Sequence, residues 1–207
     1  MNIKLVEHIY FVGIGGIGMS ALARYFNAKG KKVSGYDKTP SILTDELTSE
    51  GVSLHFDENH IPNDIKNSNF QSVLIVYTPA VSKDSLQLQF FTSKKWNVLK
   101  RAELLGLITE NAYTIAVAGT HGKTTTTSIL AHILNFSDIF CTAFLGGISS
   151  NYNTNLILSE SGDIVVVEAD EYDRSFLKLF PDISIITSLD ADQLDVYEDV
   201  EDMKNTF

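Results

Sequence analysis

Two short glycine-rich turns constrain this chain more than anything else in it. Residues 13–18 read Gly-Ile-Gly-Gly-Ile-Gly, and residues 119–125 read Gly-Thr-His-Gly-Lys-Thr-Thr. Each follows an apolar run and opens a segment with helical spacing. A glycine turn between a strand and a helix presents unpaired N–H groups and a partial positive charge, a natural seat for phosphate. Two such turns in 207 residues point to two successive α/β modules.

In the first module, residues 8–12 read as a buried strand and 17–29 as a helix, with Ile17, Ala21, Leu22 and Tyr25 at helical spacing and Gly30 closing it. Strands follow at 32–36, 52–56, 72–77 and 97–99, and helices at 41–49, 84–94 and 101–108. The continuous apolar run 72–77 suits a central parallel strand. The turn fits G-x-G-x-x-G, in which the glycines permit a tight turn, close approach of a diphosphate, and packing of helix on strand. Asp37, at the end of the second strand, either takes ribose hydroxyls or caps the next helix.

In the second module, 113–118 is a strand and 123–134 a helix. The segments 164–167 and 183–188 are further apolar strands. Gly119, Thr120, His121, Gly122, Lys123, Thr124 and Thr125 form the second turn. Its amides wrap phosphates, Lys123 reaches the outer phosphates, and the Thr124 hydroxyl is a Mg²⁺ ligand. The turn is shorter than the standard P-loop, with Val117 where that pattern has its first glycine. Four consecutive threonines, 124–127, are poor helix formers, so the first of them has a reason at the site. His121 reads as a side chain leaving the loop towards phosphate or substrate, with general-base chemistry as the sharper reading. Glu168 closes an apolar strand, where a phosphate-loop enzyme needs a carboxylate for its metal. The acids Asp190 and Asp192, with the neutral Gln193, close the next strand, and the acids beyond them read as a solvated face.

Composition narrows the classes. A net charge of −10 opposes a nucleic-acid footprint and a polybasic membrane patch. The single cysteine, Cys141, excludes an internal disulfide and reads as a small core residue. No export signal and no apolar run of membrane-span length is present, so the expected location is cytoplasmic.

Together these blocks resemble the Mur ligase family, and within it the muramate–alanine ligases of peptidoglycan synthesis. The resemblance rests on residues 13–20, on Arg101-Ala102-Glu103, on residues 119–126 and on 167–171, in the family's order. It implies a Rossmann-like parallel-sheet domain, residues 1–108, followed by a partial P-loop-type α/β central domain, 109–207. It implies that Gly15, Gly16, Ile17, Gly18, Met19 and Ser20, with Asp37 and Arg101, bind a UDP-sugar. The second turn then binds ATP, Lys123 and His121 are catalytic, and Thr124, Glu168 and Gln193 hold Mg²⁺. The family usually has His where this chain has Gln193. The implied substrates are UDP-N-acetylmuramate, ATP and L-alanine, joined through an acyl phosphate.

The family's proteins continue through a third domain that holds the amino acid, so the sequence is expected to be an N-terminal part, inactive alone. Its incomplete central sheet is expected to leave an exposed edge and apolar face, with the second half mobile, paired in a homodimer or in contact with another copy. The alternatives are a ligase that attaches a recycled peptide to the same UDP-sugar, a non-catalytic nucleotide-binding module, and an NAD-dependent oxidoreductase. The second phosphate turn is the main difficulty for the last.

Overall fold

The computed structural model describes residues 3–94, 96–159, 164–170 and 172–189. The chain divides into two compact units, Met1–Leu104 and Leu105–Phe207.

The first unit is a five-stranded sheet in the order β3-β2-β1-β4-β5. Its strands are β1 (His8–Val12), β2 (Lys32–Tyr36), β3 (Ser53–His55), β4 (Val73–Tyr77) and β5 (Asn97–Lys100), all parallel. Every residue of β1 is buried, as expected of a central strand covered on both faces. Helix α1 (Ile17–Ala28) buries Met19, Leu22, Ala23 and Phe26. Helix α2 (Ile42–Ser49) begins with a capping box, in which the Ser41 hydroxyl accepts the Thr44 N–H and the Thr44 hydroxyl accepts the Ser41 N–H. The short α3 (Asn63–Lys66) and α4 (Leu86–Thr92) bring Ile65 and Phe91 to a core shared with Tyr10, Val12, Val73 and Ile75. Burying a side chain such as Phe91 contributes roughly 2–3 kcal/mol. The buried Tyr10 hydroxyl donates to Gln87 Oε1 at 2.8 Å and lies 2.7 Å from His55 Nε2.

The strand order places the topological switch at β1 and β4. The chain runs outward from β1 through β2 to β3, then returns to β4 on the other side. A crevice opens there beyond the carboxyl ends of the strands.

The second unit is a sheet in the order β10-β6-β9-β7-β8. Strands β6 (Tyr113–Ala118), β7 (Cys141–Ser149), β9 (Ile164–Glu168) and β10 (Ile183–Ile186) are parallel, and β8 (Thr154–Ile157) is antiparallel to β7. Helix α5 (Arg101–Thr109) carries the dividing point between the units, and α6 (Lys123–Phe136) packs on β7, β9 and β6. Ala131, Cys141, Ala143, Leu145, Ile157 and Val166 form a core here, with Leu130 and Leu134 of α6 against it. Cys141 is fully buried, and burial pushes its thiol up to about 11.

The hairpin of β7 and β8 is absent from the sequence reading. Its register shifts between Phe144 and Ser149, and Gly146 and Gly147 interrupt the apolar alternation by which a strand is recognised. The antiparallel β8 makes the second sheet mixed. Helix 84–94 shortens to α4, because the turn through Ser82–Ser85 occupies its first residues. Among the described residues, no helix is long and apolar enough to cross a membrane.

Candidate functional site

Two candidate sites lie at the carboxyl edges of the two sheets. In the first unit a cavity of about 710 Å³ is lined by Gly13, Gly15 and Gly16 from the turn after β1. Asp37–Ser41 after β2, Thr78 and Ala80–Ser82 after β4, and Glu58, Asp84 and Ser85 complete the lining with Tyr36. Gly16 is the N-cap of α1 and has no side chain to occupy the helix N-terminus. Asp37 Oδ2 accepts the Gly15 N–H at 2.7 Å, and its Oδ1 accepts the Thr39 N–H at 3.2 Å. The carboxylate therefore braces the turn against the next loop. It does not cap α2, whose cap is Ser41.

One polar group beside the cavity is an orphan. Ser85 Oγ is buried and has no hydrogen-bond partner, and Ser85 lines this space. A buried hydroxyl without a partner costs about 1–3 kcal/mol, and a polar ligand group within reach relieves that cost. The Tyr36 phenol is held protonated, chiefly by burial and further by Glu58, Asp37 and Asp57.

Of the residues expected to bind UDP-sugar, Gly15, Gly16 and Asp37 line this cavity and Ile17, Gly18, Met19, Ser20 and Arg101 do not. Met19 is 1% exposed and its side chain is in the core. Ser20 is fully buried, and its hydroxyl donates back to Gly16 O at 2.9 Å and Ile17 O at 3.0 Å. Both lie on the inner face of α1, where side chains meet the sheet. Arg101 packs against Gly18, where an added Cβ would lie 2.5 Å from Nη1. A cation thus stands at the first turn of α1.

In the second unit the turn 119–122 leaves β6 and enters α6. Gly122 is the N-cap in the left-handed region (φ +79°), which favours glycine. At Gly119 (φ +121°) a Cβ would strike the Thr187 hydroxyl and come within 2.7 Å of Ser188 O. The segment after β10 fastens this turn. Ser188 Oγ lies 2.9 Å from Thr120 Oγ1 and accepts the His121 N–H at 3.1 Å, while the Thr187 hydroxyl donates to Ala118 O and to His121 O. His121 is exposed, and its backbone N–H and C=O are held by Ser188 and Thr187. Lys123 Nζ donates to Gly119 O at 2.6 Å, so the ammonium folds over its own turn.

Glu168 sits beside this turn because β9 lies next to β6, with Val117 opposite Glu168. Its Oε1 accepts the Thr124 hydroxyl at 2.9 Å and its Oε2 accepts the Gly146 N–H at 2.9 Å. Thr120–Thr125 and Glu168 line a cavity of about 260 Å³. A hydroxyl and a carboxylate a hydrogen bond apart are hard oxygen donors that suit Mg²⁺, an ion that keeps most of its shell for water and phosphate. Gln193, the third expected ligand, lies outside the described residues. Thr187, Ser188, Gly146 and Ser85 were not singled out by sequence. Hydroxyl residues just past an apolar parallel strand are the signal that would have found Thr187 and Ser188.

Residues 8–113 match the Mur ligase family, catalytic domain, and residues 117–207 match the Mur ligase middle domain. The chain belongs to the Mur ligase family. Among its relatives, the UDP-N-acetylmuramate–L-alanine ligase of Flavobacterium psychrophilum is 54% identical over 209 residues, covering 100% of this Mur ligase chain and 46% of that protein. The structure of UDP-N-acetylmuramate–alanine ligase from Thermotoga maritima matches with a TM-score of 0.80 at 30% identity, covering 96% of this chain and 45% of that one. The UDP-N-acetylmuramate:L-alanyl-gamma-D-glutamyl-meso-diaminopimelate ligase of Neisseria meningitides shares the fold at a TM-score of 0.84 and 23% identity, over 98% of this chain and 66% of that one. This Mur ligase chain spans under half the length of the first two.

Proposed function

We propose that this chain supplies the two nucleotide-binding units of an ATP-dependent ligase that joins L-alanine to the carboxylate of UDP-N-acetylmuramate. The observation that carries the reading is the Thr124–Glu168 pair beside Lys123 at a second phosphate turn. An NAD-dependent oxidoreductase has no use for that constellation. Identity of 54% across the whole chain to an L-alanine ligase supports the choice of substrates.

In this reading the α1 N-terminus, braced by Asp37, holds the UDP diphosphate, with Arg101 as the nearby cation. In the second unit the turn amides and Lys123, released from Gly119 O, hold the outer phosphates. Thr124 and Glu168 would hold Mg²⁺, which supplies charge neutralisation at the transferring phosphoryl group. An oxygen of the sugar carboxylate attacks the γ-phosphorus of ATP, and ADP leaves with the bonding pair, giving an acyl phosphate. The alanine nitrogen then attacks the acyl carbon, phosphate leaves with the bonding pair, and the ammonium proton passes to a base. Bringing two anions together is the main barrier, so most of the rate comes from positioning. ATP and a nucleotide sugar as substrates place this reaction in the cytoplasm.

Calorimetry on the folded chain tests the reading. UDP-N-acetylmuramate is expected to bind more tightly than NAD, and ATP with Mg²⁺ to bind wild type but not Lys123→Ala. Absence of heat with millimolar UDP-N-acetylmuramate, in a sample shown to be folded by circular dichroism, would overturn it. Phosphate release that requires L-alanine, UDP-N-acetylmuramate and ATP together, assayed with the full product of the gene, tests the acceptor.

A further inference from the structure

We propose that Gly146 is a positioning residue for the phosphoryl site, its N–H and its missing side chain together setting where the Glu168 carboxylate sits. The inference rests on the reading of Glu168 as a metal-holding group.

Glu168 ends the strand at the centre of its sheet, with β6 on one side and β7 on the other. Its two oxygens are divided between those neighbours. Oε1 takes the Thr124 hydroxyl, at the start of the helix that follows β6, and Oε2 takes the Gly146 N–H on β7, both at 2.9 Å. Parallel pairing of Phe144 with Val167 delivers Gly146 to this place, just past the last paired residues of the two strands. The irregular register of β7 against β8 lies between Phe144 and Ser149, so Gly146 falls where ordinary hairpin pairing is interrupted.

Gly146 also makes room. A Cβ there would lie 2.5 Å from Glu168 Cδ and 2.6 Å from Oε1, in the middle of the carboxylate. The obstructed group is the far end of a flexible side chain, and the φ of Gly146 is not positive. An alanine is therefore accommodated by the backbone while it evicts the carboxylate. The neighbouring Gly147 differs. A Cβ there meets only Thr124 Cγ2, at an ordinary 3.5 Å. One of two adjacent glycines is thus fitted to the acid. The carboxylate is held at one end by a main-chain donor that does not titrate or change rotamer, which leaves Oε1 aimed at Thr124. Groups that orient a metal ligand typically matter by about 10–100-fold in metal affinity.

The test has two arms. In the first, ATP binding is titrated calorimetrically with and without Mg²⁺. Gly146→Ala is expected to raise the Mg²⁺ concentration needed for half-maximal ATP binding by about 10–100-fold while leaving metal-free ATP binding unchanged. Glu168→Asp in the Gly146→Ala background, a shorter acid in the narrowed space, is expected to recover part of the loss, and Gly147→Ala to behave as wild type. Wild-type Mg²⁺ dependence in Gly146→Ala overturns the proposal, as does equal loss with and without metal. In the second arm, without nucleotide, the Gly146 amide proton is followed by NMR. Glu168→Gln is expected to move it upfield as the charged acceptor is lost, and an unmoved resonance refutes the clamp. Failure of wild type to bind ATP would count against the functional reading, and the second arm would still decide the clamp.

Discussion

Asp37 and Glu168 end parallel strands in different units, and each accepts the backbone N–H of a glycine, Gly15 and Gly146 respectively. At both sites a carboxylate takes a glycine N–H that lies past the paired residues, Gly15 in the turn after β1 and Gly146 in β7 beyond its last residue paired with β9. A hydrogen bond to a charged acceptor is worth about 1.5–3 kcal/mol, so Asp37→Ala is expected to weaken UDP-N-acetylmuramate binding by roughly 10–100-fold, read by calorimetry. Asp37→Asn keeps one acceptor oxygen and is expected to lose less. Cys141 makes the opposite case, a reactive residue type silenced by its surroundings. It is fully buried and burial pushes its thiol up to about 11. Ellman's reagent at pH 8 is expected to label it only after denaturant is added.

Helix α6 shows how one run of identical residues divides into separate roles. Thr124 turns its hydroxyl to Glu168, Thr125 is exposed, and Thr127 is fully buried with its hydroxyl bonded to Lys123 O at 2.8 Å. Thr125→Ala is expected to stabilise the unit by about 0.5 kcal/mol through helix propensity. Thr127→Val, which keeps the shape and loses the hydrogen bond, is expected to cost about 1 kcal/mol. Urea denaturation distinguishes the two signs. The hairpin of β7 and β8 is the counterexample for legibility. Its glycines break the alternation that marks a strand, and the position of β7 beside β9 explains Gly146 only once Glu168 is seen to occupy the space.

At the scale of the whole molecule, acid sensitivity is built into the first unit. His8 is buried, with Nε2 2.8 Å from Ser34 Oγ, and desolvation, helped by Lys32, lowers its pKa from 6.5 to about 4. His55 is lowered too, first by burial and then by His60. A lowered folded-state pKa means that the unfolded chain takes up the proton first. The stability from a neutral His8 is therefore complete above pH 6.5 and declines as pH falls towards 4, by roughly 3 kcal/mol in all. Denaturation midpoints measured from pH 7 to 4 are expected to fall with that slope, and His8→Gln to flatten it. Hydrogen exchange by peptide is expected to rise first within residues 3–94.

Much of the architecture was legible from sequence because it depends on short-range chemistry. Strands such as His8–Val12 and Tyr113–Ala118 are largely apolar or β-branched runs, and each leads through a glycine turn into a helix. The two candidate phosphate turns were readable for the same reason, since each is contiguous in the chain. Partners distant in sequence were not readable. Thr187 and Ser188 bracing the second turn, Ser85 lining the first cavity, and Met19 and Ser20 facing inward all depend on strand order and helix rotation. Those are set by packing the whole sheet, not by neighbours along the chain. So the sequence determined that two glycine turns join strand to helix, and the tertiary structure decided which side chains surround each one and that Glu168 is held between Thr124 and Gly146.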